Sequence, residues 1–123
     1  MNIEVSVGEI VDKLSILDIK RQKITDSAKL ENVNREYLYL HEIVFADLNI
    51  AMSDYEQLVA INVKLWDIED VLREMESRKQ FDDMFVEYAR QVYITNDLRA
   101  DIKKQINLKY GSTFIEEKSY AKY

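Results

Sequence analysis

The sequence predicts an all-α fold, an antiparallel four-helix bundle with short extended N- and C-terminal segments. Three observations predict it. The 123 residues contain no Pro and only two Gly, with 47% apolar and 33% charged side chains. That is the composition of long helices joined by short turns. Leu58, Ile61, Leu65, Ile68, Leu72 and Met75 are spaced 3, 4, 3, 4, 3, an unbroken heptad seam. Two S-x-x-E boxes, Ser6 with Glu9 and Ser53 with Glu56, mark helix starts. The length fits one domain covering residues 1–123, with a core of its own. An extended helical hairpin that completes its core by dimerising is the alternative architecture.

Taken in order, Asn2–Val7 alternates apolar and polar, which is strand-like. The first helix is expected over Val7–Lys23, with Ile10, Leu14, Leu17 and Ile24 as its main stripe. Thr25-Asp26-Ser27 breaks the chain, and Asp26 or Ser27 caps the next helix. This second helix is expected from Ser27 to Ile50, its stripe running through Leu30, Val33, Tyr37, Leu40, Val44 and Leu48. The third comes after a turn near Ala51–Asp54 and runs to about Lys79 with the heptad seam inside it. Its Leu with Ile or Met pairing favours more than two packed helices. Val59, Val63 and Trp66 lie on the face opposite the seam, a second apolar patch that calls for cover. Gln80–Asp83 is the next break, and the fourth helix runs to about Tyr110, with Gly111 as its C-terminal cap. The tail, Ser112–Tyr123, reads as a short strand beside Ile3–Val5 or an extended segment across Trp66.

Composition excludes several functions. Without cysteine there are no disulfides and no thiolate metal sites. A net charge of −6 argues against a general affinity for nucleic acid or anionic membranes. The absence of an 18-residue apolar run argues against membrane insertion, and with no signal peptide in view the expected location is cytoplasmic. No phosphate-binding glycine loop, dinucleotide fingerprint or H-E-x-x-H motif is present. The lone His41 reads as a packed histidine, so acid–base chemistry would fall to carboxylate, Lys, Arg or Tyr.

Polar residues that interrupt apolar stripes are the candidates for a site. Arg21 falls on the stripe of the first helix with Lys13 at its edge, and Arg99 falls on that of the fourth with Asn96 beside it. A core-facing guanidinium needs a partner. Internal carboxylates, among them Asp12, Asp18, Asp67, Asp70 and Asp97, compete for that role with an anionic ligand. Glu9 with Asp12, and Asp67 with Asp70, are spaced i, i+3. Two such pairs on facing helices could hold Mg²⁺, and solvated helix faces are the plainer reading. The eight tyrosines, with Tyr93, Tyr110, Tyr120 and Tyr123 late in the chain, favour a protein interface together with Val59, Val63 and Trp66.

The stretches Val5–Leu17, Leu65–Asp70, Val92–Arg99 and Glu116–Tyr120 together resemble the signature of a family of short bacterial and phage proteins of unassigned function. The signature falls on Gly8, Glu9, Asp12, Lys13, Trp66, Asp67, Asp70, Asn96, Asp97, Arg99, Glu117, Lys118 and Tyr120. The resemblance implies a setting among genes for surface-polysaccharide assembly and glycosyl transfer, and no activity. The second apolar face of the third helix and the tyrosine-rich end point to a non-enzymatic, oligomeric accessory or interaction module, most simply a homodimer or one with a protein partner. The alternative is a small enzyme or binding protein for a phosphorylated or sugar-nucleotide ligand, using Glu9, Asp12, Lys13, Arg21, Asp67, Asp70, Asn96, Asp97, Arg99 and Lys118.

Overall fold

Helix α1 spans Val7–Lys23, α2 Ser27–Glu42, α3 Met52–Ser77 and α4 Asp83–Lys109, in a computed structural model that describes residues 1–123. The fold is all-α, as expected, and no strand forms. No helix is long and apolar enough to cross a membrane. The start of α1 follows the sequence: Ser6 accepts a hydrogen bond from the Glu9 amide at 3.2 Å. Asp26 does the same for Lys29 in α2 at 2.9 Å, and Asp82 for Phe85 in α4 at 3.1 Å.

Two boundaries differ from expectation. The second helix stops at Glu42 and continues as one π-helical turn, Ile43–Asp47, rather than as α-helix to Ile50. The Leu48 amide reaches back to the Ile43 carbonyl and the Ile50 amide to the Val44 carbonyl. Asn49 turns the chain with φ +54°, a conformation Asn adopts more easily than most residues. The wider turn lets both Val44 and Ile50 enter the core. Helix α3 begins at Met52, so Ala51 and not Ser53 is its cap. Tertiary structure decides this start: the Ala51 amide donates to the Tyr110 hydroxyl at 2.9 Å. The same hydroxyl donates to Asp54 at 2.5 Å, and Lys109 pairs with Asp54 at 2.8 Å. The clamp fixes the end of α4 on the start of α3.

Hydrogen bonds from Lys109 and then Tyr110 hold the Asp54 carboxyl below its ordinary value of 3.8. A depressed folded pKa contributes stability above the unfolded value, and this is lost as pH falls through the folded value. Tyr110→Phe should therefore cost about 1 kcal/mol at neutral pH. In urea titrations that deficit should shrink only at pH below 3.8. A deficit that grew in acid would contradict the clamp.

Helix α1 is the centre of the molecule, because it packs on each of the other three. Helix α2 packs on α1 alone, and α3 pairs with α4 along their length. The core lies where these meet: Val11, Leu14 and Leu17 of α1 against Leu40, Val44, Ile50, Tyr55, Leu58 and Ile106. Leu14 and Leu58 are fully buried, worth about 2 kcal/mol each. Val59, expected on an outer face of the third helix, packs against this core. Helix α3 lies between α1 and α4 and is covered on more than one side, so only Val63 and part of Trp66 remain of that patch.

The two ends of the chain meet, on α4 and without β structure. The Val7 amide donates to Ser112 Oγ at 3.0 Å. The tail then turns back along α4, with Lys104 on Glu117 at 2.9 Å and the Tyr123 hydroxyl on Asp97 at 2.5 Å. It does not cross Trp66.

Candidate functional site

Four polar side chains are buried together beneath the junction of α1, α3 and α4. Asp12 is 1% exposed, Ser15 0% and Asn62 5%, and Thr95 is 0% exposed one turn before Arg99. They reach this depth because the facing helices supply partners. Arg99 grips the Asp12 carboxylate with two nitrogens, Nε at 2.9 Å and Nη2 in a shorter contact. Asn62 Nδ2 donates to Asp12 at 2.9 Å and to Ser15 Oγ at 2.8 Å. Ser15 Oγ donates back to the Asp12 carbonyl at 2.6 Å. Lys103 Nζ lies 3.8 Å from Asp12 and 2.8 Å from Glu9. Bonding to Asp12, against the opposing effect of burial, raises the Arg99 pKa still further, so the guanidinium stays charged.

A buried carboxylate with a two-pronged guanidinium, an amide and an ammonium around it is fully compensated. One group is not. The Thr95 hydroxyl has no hydrogen-bond partner. Burying an unpaired hydroxyl costs free energy, so Thr95→Val should raise stability by about 1 kcal/mol. A loss of stability in thermal or urea melts would show that this hydroxyl is bonded.

Over this network opens a cleft of about 420 Å³. Ile16 and Ile19 of α1 form one wall. Leu65, Trp66, Glu69, Asp70 and Arg73 of α3 form the other, and Asn62, Asn96 and Arg99 lie at the base. Arg99 Nη1 also reaches Asn96 Oδ1 at 3.4 Å. Glu69 and Arg73 make a loose pair at 3.7 Å, and Asp70 makes no ion pair. The α1 wall is thus aliphatic, the α3 wall sets Leu65 and Trp66 beside the charged Glu69, Asp70 and Arg73, and the base carries fixed donors and acceptors.

On the far side of Arg99 lies a smaller hollow of about 260 Å³, lined by Asp97, Lys103, Glu116 and Lys118 among others. Every ammonium there already has a carboxylate: Lys103 has Glu9 and Glu116, and Lys118 has Glu116.

The structure brings together Glu9, Asp12, Asn96, Asp97, Arg99 and Lys118 around α4, and Trp66 and Asp70 join through the cleft. It does not bring in three of the expected residues. Lys13 points to α2 and pairs with Glu36 at 2.8 Å. Arg21, expected to face the core, is exposed and lies over the Tyr37 ring at 3.9 Å, because the last turn of α1 meets α2 there. Asp67 is exposed on α3, outside the cleft. The pairs Glu9/Asp12 and Asp67/Asp70 do not meet, and nowhere do three His, Asp or Glu side chains gather as a metal site. The arrangement imagined for Mg²⁺ is not formed. His41 lies between Tyr37 and Phe45 in an aromatic row, but it is exposed and its ring makes no hydrogen bond, unlike the packed histidine expected. Of the expected interface tyrosines, Tyr93 meets Tyr123 edge-on at 5.2 Å, and Tyr120 is 72% exposed.

Asn62 and Ser15 escaped the sequence reading. Asn62 sits one position from the heptad residue Ile61, and polar residues there read as solvated. The signal that could have found them was Ser15, one turn after Asp12 and next to Leu14 of the apolar stripe.

A family model matches residues 1–123, the full length of the chain. The chain belongs to DUF6165, a family of unknown function. No curated protein and no solved structure matches it. The geometry of this DUF6165 chain therefore carries the functional reading by itself. The three-helix junction separates two roles: the Asp12–Arg99–Asn62 network holds the helices, and Trp66, Asp70 and Arg73 stand in front of it, open to a ligand.

Proposed function

We propose that this protein is a non-enzymatic binding module whose cleft takes a neutral, polyhydroxylated ligand of the sugar class. One observation carries the reading: Trp66 lines a cleft whose base is a charge-compensated array of Asn62, Asn96 and Arg99. Sugar hydroxyls both donate and accept hydrogen bonds, and they match a base that offers amides and a guanidinium, with the Asp70 carboxylate on the wall beside it. The apolar C–H face of a sugar ring suits an indole wall. A volume of about 420 Å³ lies within the range of small-molecule sites. Charge speaks against a phosphorylated ligand. Arg99 is already engaged by Asp12, and Glu69 and Asp70 offset Arg73 in front. The polysaccharide-assembly setting implied by the resemblance involves the same ligand chemistry. No nucleophile paired with a base lines the cleft, so binding suits it better than catalysis.

Trp66 is the only tryptophan, so its fluorescence reports on the cleft directly. Titration with mono- and oligosaccharides should give a saturating change, weakened at least tenfold by Asp70→Asn together with Asn96→Ala, or about 1.4 kcal/mol. No response to any saccharide, with saturation by nucleotides or sugar phosphates, would overturn the proposal.

A further inference from the structure

The cleft beside Trp66 does not end at Arg99. The hollow on the far side of that side chain shares Asn96 and Arg99 with it, so the two openings meet over one pair of residues. Both residues have hydrogen-bonding capacity to spare at that boundary. Arg99 spends Nε and Nη2 on Asp12, while Nη1 reaches Asn96 Oδ1 only at 3.4 Å. That is beyond the usual range of about 2.7–3.2 Å. The side-chain amide of the half-buried Asn96 donates to no protein group. The outer wall of the hollow is the C-terminal tail, through Glu116, Lys118 and Tyr120. No residue from Thr113 to Tyr123 is buried. The tail rests on α4 through the exposed Lys104–Glu117 pair, a loose Lys103–Glu116 pair at 3.8 Å and the Tyr123 ring. Surface contacts of this kind hold weakly, so the wall is free to adjust.

We infer that the ligand of the cleft is a chain of at least two sugar units, the first against Trp66 and the next under the tail, which closes on it through Lys118 and Tyr120. This rests on the reading of the cleft as a sugar site given above. Three observations carry it. The first is size. The hollow holds about 260 Å³, less than the roughly 300–1,000 Å³ of a free-standing small-molecule site, and it adjoins the larger cleft. It therefore serves as an extension of that cleft and not as a separate site. The second is charge. Lys103 has Glu9 and Glu116, Lys118 has Glu116, and Asp97 accepts from the Tyr123 hydroxyl. No ammonium is left over for a phosphate or a carboxylate, so the second unit is neutral like the first. The third is an aromatic ring. Tyr120 lies at the rim of the hollow, 72% exposed, with Lys118 Nζ over its ring at 5.8 Å. An open ring beside compensated polar groups repeats the arrangement at Trp66, and it offers a face to the C–H side of a second sugar. The unspent donors of Asn96 and Arg99 then fall at the junction between the units, where the linking oxygen and the hydroxyls beside it accept.

The test uses the full chain, with mono- to tetrasaccharides of glucose, galactose, mannose and N-acetylglucosamine as probes. Trp66 fluorescence reads the cleft, and amide exchange of residues 113–123 reads the tail. A chain of two or more units should bind at least about tenfold tighter than its monosaccharide, or about 1.4 kcal/mol. It should also slow exchange in the tail, which the monosaccharide leaves fast. Lys118→Ala with Tyr120→Ala should remove that tenfold gain with unchanged far-UV circular dichroism, since both positions are exposed. Equal affinity for mono- and oligosaccharides would overturn the inference and leave the sugar reading of the cleft standing. A tail whose exchange ignores the longer ligand, or a double variant that keeps the gain, would do the same. No Trp66 response to any of the saccharides would overturn both.

Discussion

Replacing Arg99 by Met should destabilise the fold by about 3–5 kcal/mol, the cost of leaving a buried carboxylate without its cation. Asp12 is 1% exposed and takes two of its four polar contacts from Arg99. Lys103 at 3.8 Å is too far to replace them. Replacing Asp12 by Leu in the same chain should recover most of that loss. The pair then leaves no buried charge, and Asn62 keeps its bond to Ser15. Urea denaturation of the two single variants and the double would give the coupling between the sites. A loss below about 1 kcal/mol in the single Arg99→Met variant would place Asp12's compensation elsewhere, against the geometry described.

Gly8→Ala should also destabilise, by about 1–3 kcal/mol, even though alanine is the better helix former. A Cβ at Gly8 would lie 2.6 Å from the Lys103 carbonyl oxygen and 3.0 Å from Asn107 Oδ1. The first contact is with backbone, so no side-chain rotation relieves it. The helices must separate, and the bond from the Gly8 amide to Asn107 at 2.6 Å goes with them. The urea midpoint should fall with little change in slope. A gain in stability, as helix propensity alone predicts, would mean that α1 and α4 do not meet this closely.

These two positions illustrate what is legible in a sequence of this kind. The helices were legible because their signals are local: Ser6 before Glu9 starts α1, and the Leu58–Met75 spacing makes α3 amphipathic. Arg99 stood out because a charge on an apolar stripe demands a partner, and Asp12 was among the candidates. Which candidate won was not legible, since 87 residues separate the two and the choice depends on how α1 crosses α4. Arg21 shows the limit of a helical wheel. A wheel assumes one covered face along the whole helix, while the last turn of α1 faces only α2. Ser53 shows that a good local cap yields to a tertiary anchor, here the Tyr110 hydroxyl on Ala51. The cleft itself was invisible, because Ile16, Trp66 and Asn96 come from three helices with no shared periodicity.

The span between Asp12 and Arg99 bears on how the chain folds as it is made. Asp12 emerges from the ribosome early and its cation only near the end. Until α4 has been synthesised, closing α1 on α3 would bury an uncompensated carboxylate. The N-terminal helices have no stable stopping point of their own, and cooperative folding waits for nearly the complete chain. Chains truncated before Arg99 should remain unfolded, however well the Val11, Leu14 and Leu58 core is preserved.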